Sequence, residues 1–171
     1  MLGMKAMGTM AHSYVESFDN EYDAFLTYAT TYPNNAILLV DTYDTLRSGV
    51  INAIKVFDYM KENNISTNNI GIRIDSGDLS YLSKEARKML DNAGYSNAKI
   101  LLSNGLTAET IESLVREGAK FNSLGVGDNI SKPQGRMGCV YKEVAITENG
   151  TLVPKIKFCL LYTSDAADDK A

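Results

Sequence analysis

The chain has 171 residues, 44% of them apolar and 22% charged, enough to bury a core in one domain or part of one. Its 21 acidic and 17 basic residues leave a net charge of −4, and no lysine- or arginine-rich run marks a nucleic-acid or membrane-surface patch, so neither partner is expected. The two cysteines form no C-x-x-C pair and no zinc-ligand spacing with the single histidine; no stretch reaches the ~18 apolar residues of a membrane span, and the opening MLGMKAMGTMAHSYV lacks an apolar leader core. A soluble, unprocessed protein of a reducing cytoplasm is the expectation.

Between Asn20 and Tyr32, Tyr22, Phe25, Leu26 and Ala29 recur at helical spacing, and Pro33 closes the run. AILLV (36–40) follows, short and apolar between Asn35 and Asp41, as a strand buried on both faces reads. The alternation then repeats: a helix marked by Val50, Ala53, Ile54 and Phe57, the strand NIGIRI, and a helix of Leu82, Ala86, Met89 and Leu90 that Gly94 ends. AKILLS (98–103) is a third strand, Ile111, Leu114 and Val115 mark another helix closed by Gly118, and FNSLGV supplies a fourth strand.

This rhythm predicts an α/β fold with a parallel sheet, either a small open sheet or part of a (β/α) barrel, since a complete barrel needs eight strands and typically ~250 residues. After Gly127 the pattern changes. GCVYKEVAI and LVPKIKF read as two strands joined by a turn at Asn149–Gly150, an antiparallel appendage. Residues 1–137 are therefore assigned to a partial barrel and 138–158 to a strand pair. Residues 159–171 (CLLYTSDAADDKA) abandon both patterns and resemble a translated adapter, so the natural sequence is expected to run on beyond Phe158.

Parallel α/β folds bind ligands at the carboxyl ends of their strands, where loops and helix starts offer free backbone donors. Those ends are polar here: Asp41 and Thr42 after the first strand, Asp75, Ser76, Gly77 and Asp78 after the second, Ser103, Asn104 and Gly105 after the third, and GVGDN with Gly125 and Gly127 after the fourth. Carboxylates suit ribose hydroxyls or magnesium-bound water, whereas glycines and hydroxyls suit phosphate. Any one of these Ser, Thr or Asp residues can equally cap the next helix, and the two glycines can be turn formers. Arg73 lies within its strand, where an arginine needs a partner: Asp75, Asp41 or a substrate anion.

His12 stands between Thr9 and Ser13, whose hydroxyls could orient the ring or bind phosphate. Cys139 reads as a quiet thiol in an apolar strand. An apolar strand followed by DTYDT also suggests an aspartate-nucleophile phosphatase, but that motif separates its aspartates by one residue, and Asp41 and Asp44 are separated by two.

Taken in order, GTMAHSYV, LLVDTYDTLRSGVINAIKV, GIRIDSGDL, KILLSNGL, SLGVGDN and GCVYKEVAI resemble the central part of nicotinate phosphoribosyltransferases, over about Gly8 to Phe158. The resemblance implies a barrel of the type II phosphoribosyltransferase kind that joins nicotinate to phosphoribosyl pyrophosphate, with magnesium, and couples turnover to ATP hydrolysis. It puts His12 at the position that becomes phosphorylated and Asp75 beside it in the catalytic set. It also puts Arg73 and Asp75 at the pyridine and ribose-phosphate site; the strand-end residues Asp41, Ser76, Asp78, Ser103 and Asn104, with Thr9 and Ser13 flanking His12, are the further substrate-contact candidates. Gly105, Gly125 and Gly127 are the phosphate-binding candidates; no metal ligand is assigned. Asp128 departs from the more usual threonine of GVGDN and would set a negative charge beside a phosphate. The implied enzyme is a cytoplasmic homodimer well over twice as long, so this chain alone is expected to be inactive. A non-catalytic nucleotide-binding module and a nicotinamide-using relative are the alternatives.

Overall fold

The computed structural model describes residues 8–127, 129–130 and 144–155. The expected alternation is present. Asn20 accepts from the Asp23 amide and starts helix α2 (Glu21–Thr31), which ends before Pro33; strand β1 (Ala36–Leu39) follows. A wide π-type turn at Thr45–Gly49, capped by Asp44, leads into α3 (Val50–Glu62). Strand β2 (Ile70–Ile74), helix α4 (Leu79–Asn92), strand β3 (Lys99–Leu102), helix α5 (Ala108–Arg116) and strand β4 (Ser123–Leu124) complete the series. A capping box between Thr107 and Thr110 starts α5, and Gly94 and Gly118 take positive φ just past α4 and α5. One element was not anticipated. Helix α1 (His12–Glu16) has five residues, too few to show a period, and no side chain caps it.

The four strands are parallel and lie in sequence order, β1-β2-β3-β4. A strand order that never reverses direction, with crossovers of the usual right hand, places successive helices on one face, the construction of a (β/α) barrel rather than of a doubly wound sheet. On the helix side the register row Leu38, Ile72 and Ile100 is fully buried. The opposite row is Leu39, Arg73, Leu101 and Ser123. Arg73 therefore projects toward what is the interior in a closed barrel, not into the helix layer.

The antiparallel pair is β5 (Ala145–Glu148) with β6 (Thr151–Pro154), and Asn149 and Gly150 both have positive φ, as a two-residue hairpin turn of type I′ requires. The fourth parallel strand is shorter than expected, two residues where FNSLGV offered six, because only Ser123 and Leu124 pair with β3. Residues 138–143 of the first appendage strand, 156–158 of the second, the 159–171 tail, Cys139 and Asp128 lie outside the described residues. Among the described residues no helix is long and apolar enough to cross a membrane.

Candidate active site

Two residues beyond the row of Leu39, Arg73, Leu101 and Ser123, each strand delivers one more residue to the same face: Asp41, Asp75, Ser103 and Gly125. Strand period thus explains why polar groups from loops 28 to 35 residues apart meet. Asp41 is fully buried, and its Oδ2 accepts from the Asp75 amide at 2.9 Å and from Ser76 Oγ at 2.5 Å. Those two donors hold one carboxylate oxygen and leave the other, Oδ1, free of partners.

The segment before α1 crosses this face and brings the imidazole of His12 to it. His12 Nδ1 bonds Thr42 Oγ1 at 3.1 Å, while Nε2 stands 3.8 Å from Asp41 Oδ1 and 3.7 Å from Asp75 Oδ2. Nε2 is buried without a hydrogen-bond partner, facing the orphaned oxygen of Asp41. Two unsatisfied buried polar atoms opposite each other are uncommon in a structural core and call for an explanation, and a group bound between them would complete the bonding.

Arg73 resolves its two candidate carboxylates in favour of Asp75: Nη2 lies 3.0 Å from Asp75 Oδ1. Its Nε donates to Ser103 Oγ at 2.9 Å, and Ser103 in turn donates to Asp75 Oδ1. Burial pushes the Asp75 carboxyl up, but the His12 ring, the Ser103 hydroxyl and the Arg73 guanidinium together outweigh burial and hold it well below the usual carboxylate range. Asp75 is therefore a fixed negative charge at neutral pH and not a proton donor.

The other expected residues divide. Thr9 joins the cluster, its Oγ1 accepting from Arg73 Nη1 at 2.9 Å. Ser13 is half-buried on α1 and makes no bond to the cluster. Asp78 is exposed and accepts from the Tyr81 amide at 2.9 Å, so in this structure it caps α4. Asn104 and Gly105 form an exposed turn in positive φ after β3, and the Gly105 carbonyl accepts from Asn129 Nδ2 at 2.8 Å. A Cβ on Gly125 would come within 3.0 Å of Ser103 Cβ, so glycine is what lets the β4 exit approach the cluster; Gly127 has no neighbour that close. A groove of about 280 Å³ between the starts of α4 and α5, lined by Gly77, Asp78, Asn104, Leu106, Thr110 and Glu117, includes none of the His12 cluster.

Two residues escaped the sequence reading as site members. Thr42 is fully buried against His12, and its only signal was its place beside Asp41 in DTYDT. The second, Glu21, lies in the first turn of α2, where a carboxylate also complements the helix dipole. In the structure it is buried; Oε2 accepts from Ser48 Oγ at 2.5 Å and Asn52 Nδ2 at 3.0 Å, and Oε1 has no partner. Burial raises its pKa above the ordinary 4.5; the Ser48 and Asn52 bonds pull it down, and Asp41 and Asp44 raise it further, leaving it raised. A carboxyl whose folded pKa exceeds its unfolded one contributes stability that is complete below the unfolded value and is lost as pH rises through the folded one. Wild type is accordingly expected to lose stability relative to Glu21→Gln as pH rises from 4 toward 7, in urea unfolding at each pH. A constant difference would show that Glu21 does not titrate there.

Among the described residues no group of three or more His, Cys, Asp or Glu side chains is arranged to hold a metal by itself. The two carboxylate oxygens that flank His12 Nε2 fit a different mode, in which magnesium takes one or two carboxylates and completes its shell with water and substrate phosphates.

No family model matches the chain. It is 50% identical over 152 residues to the nicotinate phosphoribosyltransferase of Bacillus subtilis, covering 88% of this chain and 30% of that protein. The nicotinate phosphoribosyltransferase of Dictyostelium discoideum is 42% identical over 147 residues, 81% of this chain and 24% of the relative. Among solved structures, the nicotinate-nucleotide pyrophosphorylase of Pyrococcus furiosus superposes with a TM-score of 0.56 at 26% identity, over 76% of this chain and 32% of that one. The chain thus spans about a quarter to a third of the length of these relatives. It belongs, as a segment, to the nicotinate phosphoribosyltransferase family.

Proposed function

We propose that these residues form part of the catalytic centre of a longer nicotinate phosphoribosyltransferase, which joins nicotinate to phosphoribosyl pyrophosphate and couples the reaction to ATP hydrolysis in NAD biosynthesis. The observation that carries this reading is the buried, unpartnered Nε2 of His12 between Asp41 and Asp75 at the strand ends. Because Thr42 engages Nδ1, Nε2 is the ring nitrogen left to accept the terminal phosphoryl group of ATP, with ADP leaving. In the transfer itself, loss of pyrophosphate builds positive charge on the ribose, and the fixed carboxylate of Asp75 stabilises charge of that sign. Magnesium, held at Asp41 and Asp75, would neutralise the departing pyrophosphate. A cytoplasmic homodimer completes the reading, on family resemblance.

The longer protein, given nicotinate, phosphoribosyl pyrophosphate, magnesium and ATP, is expected to form nicotinate mononucleotide, followed by chromatography. Binding of the substrates without product would identify a non-catalytic module instead. Product from nicotinamide alone would move the protein to the other pyridine.

A further inference from the structure

The guanidinium of Arg73 has little left to offer a substrate. Its Nε donates to Ser103 Oγ at 2.9 Å, its Nη2 pairs with Asp75 Oδ1 at 3.0 Å, and its Nη1 reaches Thr9 Oγ1 at 2.9 Å and the Met10 carbonyl at 3.4 Å. Thr9 and Met10 belong to the segment that leads into α1, and His12 opens that helix. Asp75, the other partner, faces His12 Nε2 at 3.7 Å. One side chain therefore holds both the backbone that carries the imidazole and a carboxylate that confronts it. The other ties described for this stretch are the His12–Thr42 bond, the buried Met10 side chain and the Gly8 carbonyl held by Asn35 Nδ2 at 2.9 Å; α1 has no side-chain cap, so Arg73 supplies the described side-chain bonds across the fold to Thr9 and the Met10 backbone.

We propose that Arg73 is a positioning residue for His12, straps the Thr9–Met10 segment across the strand ends, and is needed for phosphorylation of His12 even when no nicotinate is present. This rests on the proposed role of His12 as phosphoryl acceptor. It differs from the role implied by resemblance, a contact to the pyridine or ribose phosphate, in the step at which Arg73 matters. A planar fork with fixed donor directions can serve Ser103, Thr9 and Asp75 at once; a lysine ammonium keeps the charge but cannot span all three.

The test is ATP-dependent, acid-labile labelling of the longer protein with magnesium and radiolabelled ATP, omitting nicotinate and phosphoribosyl pyrophosphate. Wild type, Arg73→Lys and Thr9→Val are compared, and hydrogen exchange of the peptide covering residues 8–16 is measured in each. Both variants are expected to label about tenfold more slowly than wild type and to exchange faster in that peptide, with unfolding midpoints close to wild type. Thr9→Val leaves the arginine and every strand residue in place, so it reports on the strap even if Arg73→Lys fails to fold. Wild-type labelling rates in both variants, with only the nicotinate KM raised in Arg73→Lys, would overturn the proposal. If wild type itself takes no label, the phosphohistidine reading fails, and unchanged exchange of residues 8–16 in Thr9→Val would then sink the strap as well, whereas faster exchange would support it.

Discussion

Substituting asparagine for His12 in the longer protein is expected to abolish acid-labile labelling by ATP and to lower nicotinate mononucleotide synthesis by about a hundredfold or more, in the range that loss of a reacting side chain produces. Asparagine keeps a polar group of similar reach to the first ring nitrogen, so the bond to Thr42 has a substitute, but it offers no nitrogen that can carry a phosphoryl group. The substitution also removes the ring that faces Asp41 Oδ1 and Asp75 Oδ2 at 3.8 and 3.7 Å. An unfolding midpoint measured alongside separates lost chemistry from lost structure. Undiminished labelling in this variant would place the phosphoryl group on another side chain and remove the central observation from the proposed function.

Gly49→Ala is expected to destabilise the fold by about 3 kcal/mol, the upper part of the usual range for forcing a group into a filled site. Helix propensity argues the other way, since alanine in place of a helical glycine gains about 1 kcal/mol. Distance decides between them. A Cβ at position 49 would stand 1.8 Å from the Val40 carbonyl oxygen and 2.7 Å from Val40 Cβ, and the nearest obstacle is backbone that cannot rotate aside. Relief requires the π-type turn at Thr45–Gly49 to move away from the end of β1. Val40 immediately precedes Asp41 and Thr42, so the same movement displaces the carboxylate and the hydroxyl that face His12. A shift of the urea midpoint together with slower His12 labelling is the expected pair of results. An unchanged midpoint would mean that the turn closes without touching Val40.

The legible parts of the fold were those written in short-range periodicity. Leu38, Ile72 and Ile100 are apolar because they fill one register row against the helices, and each lies within a short, mainly apolar stretch of the sequence, AILLV, NIGIRI or AKILLS. The hairpin turn was legible for a different reason: Asn149–Gly150 is a pair that tolerates positive φ twice in succession. Helix α1 was not legible, because five residues carry no period and the bonds that tie it to the fold, Arg73 to Met10 across 63 residues and His12 to Thr42 across 30, are long-range.

The candidate site divides along the same line. From residue types at strand exits, the sequence alone determined that Asp41, Asp75 and Ser103 would share one end of a parallel sheet, and its ordered motifs determined the family. Which exit residues point into the cluster and which merely cap a helix, as Asp78 does, depended on strand register and on where each chain segment turns. Only the tertiary structure decided that Arg73 pairs with Asp75 while holding Thr9, that Thr42 meets His12, and that a buried Glu21 braces the turn after β1. The physical reason is range. Alternation and capping act over a few residues and leave a local imprint in composition, whereas a hydrogen bond between residues 27 to 64 positions apart leaves none, since any polar residue delivered to that point by the fold could make it.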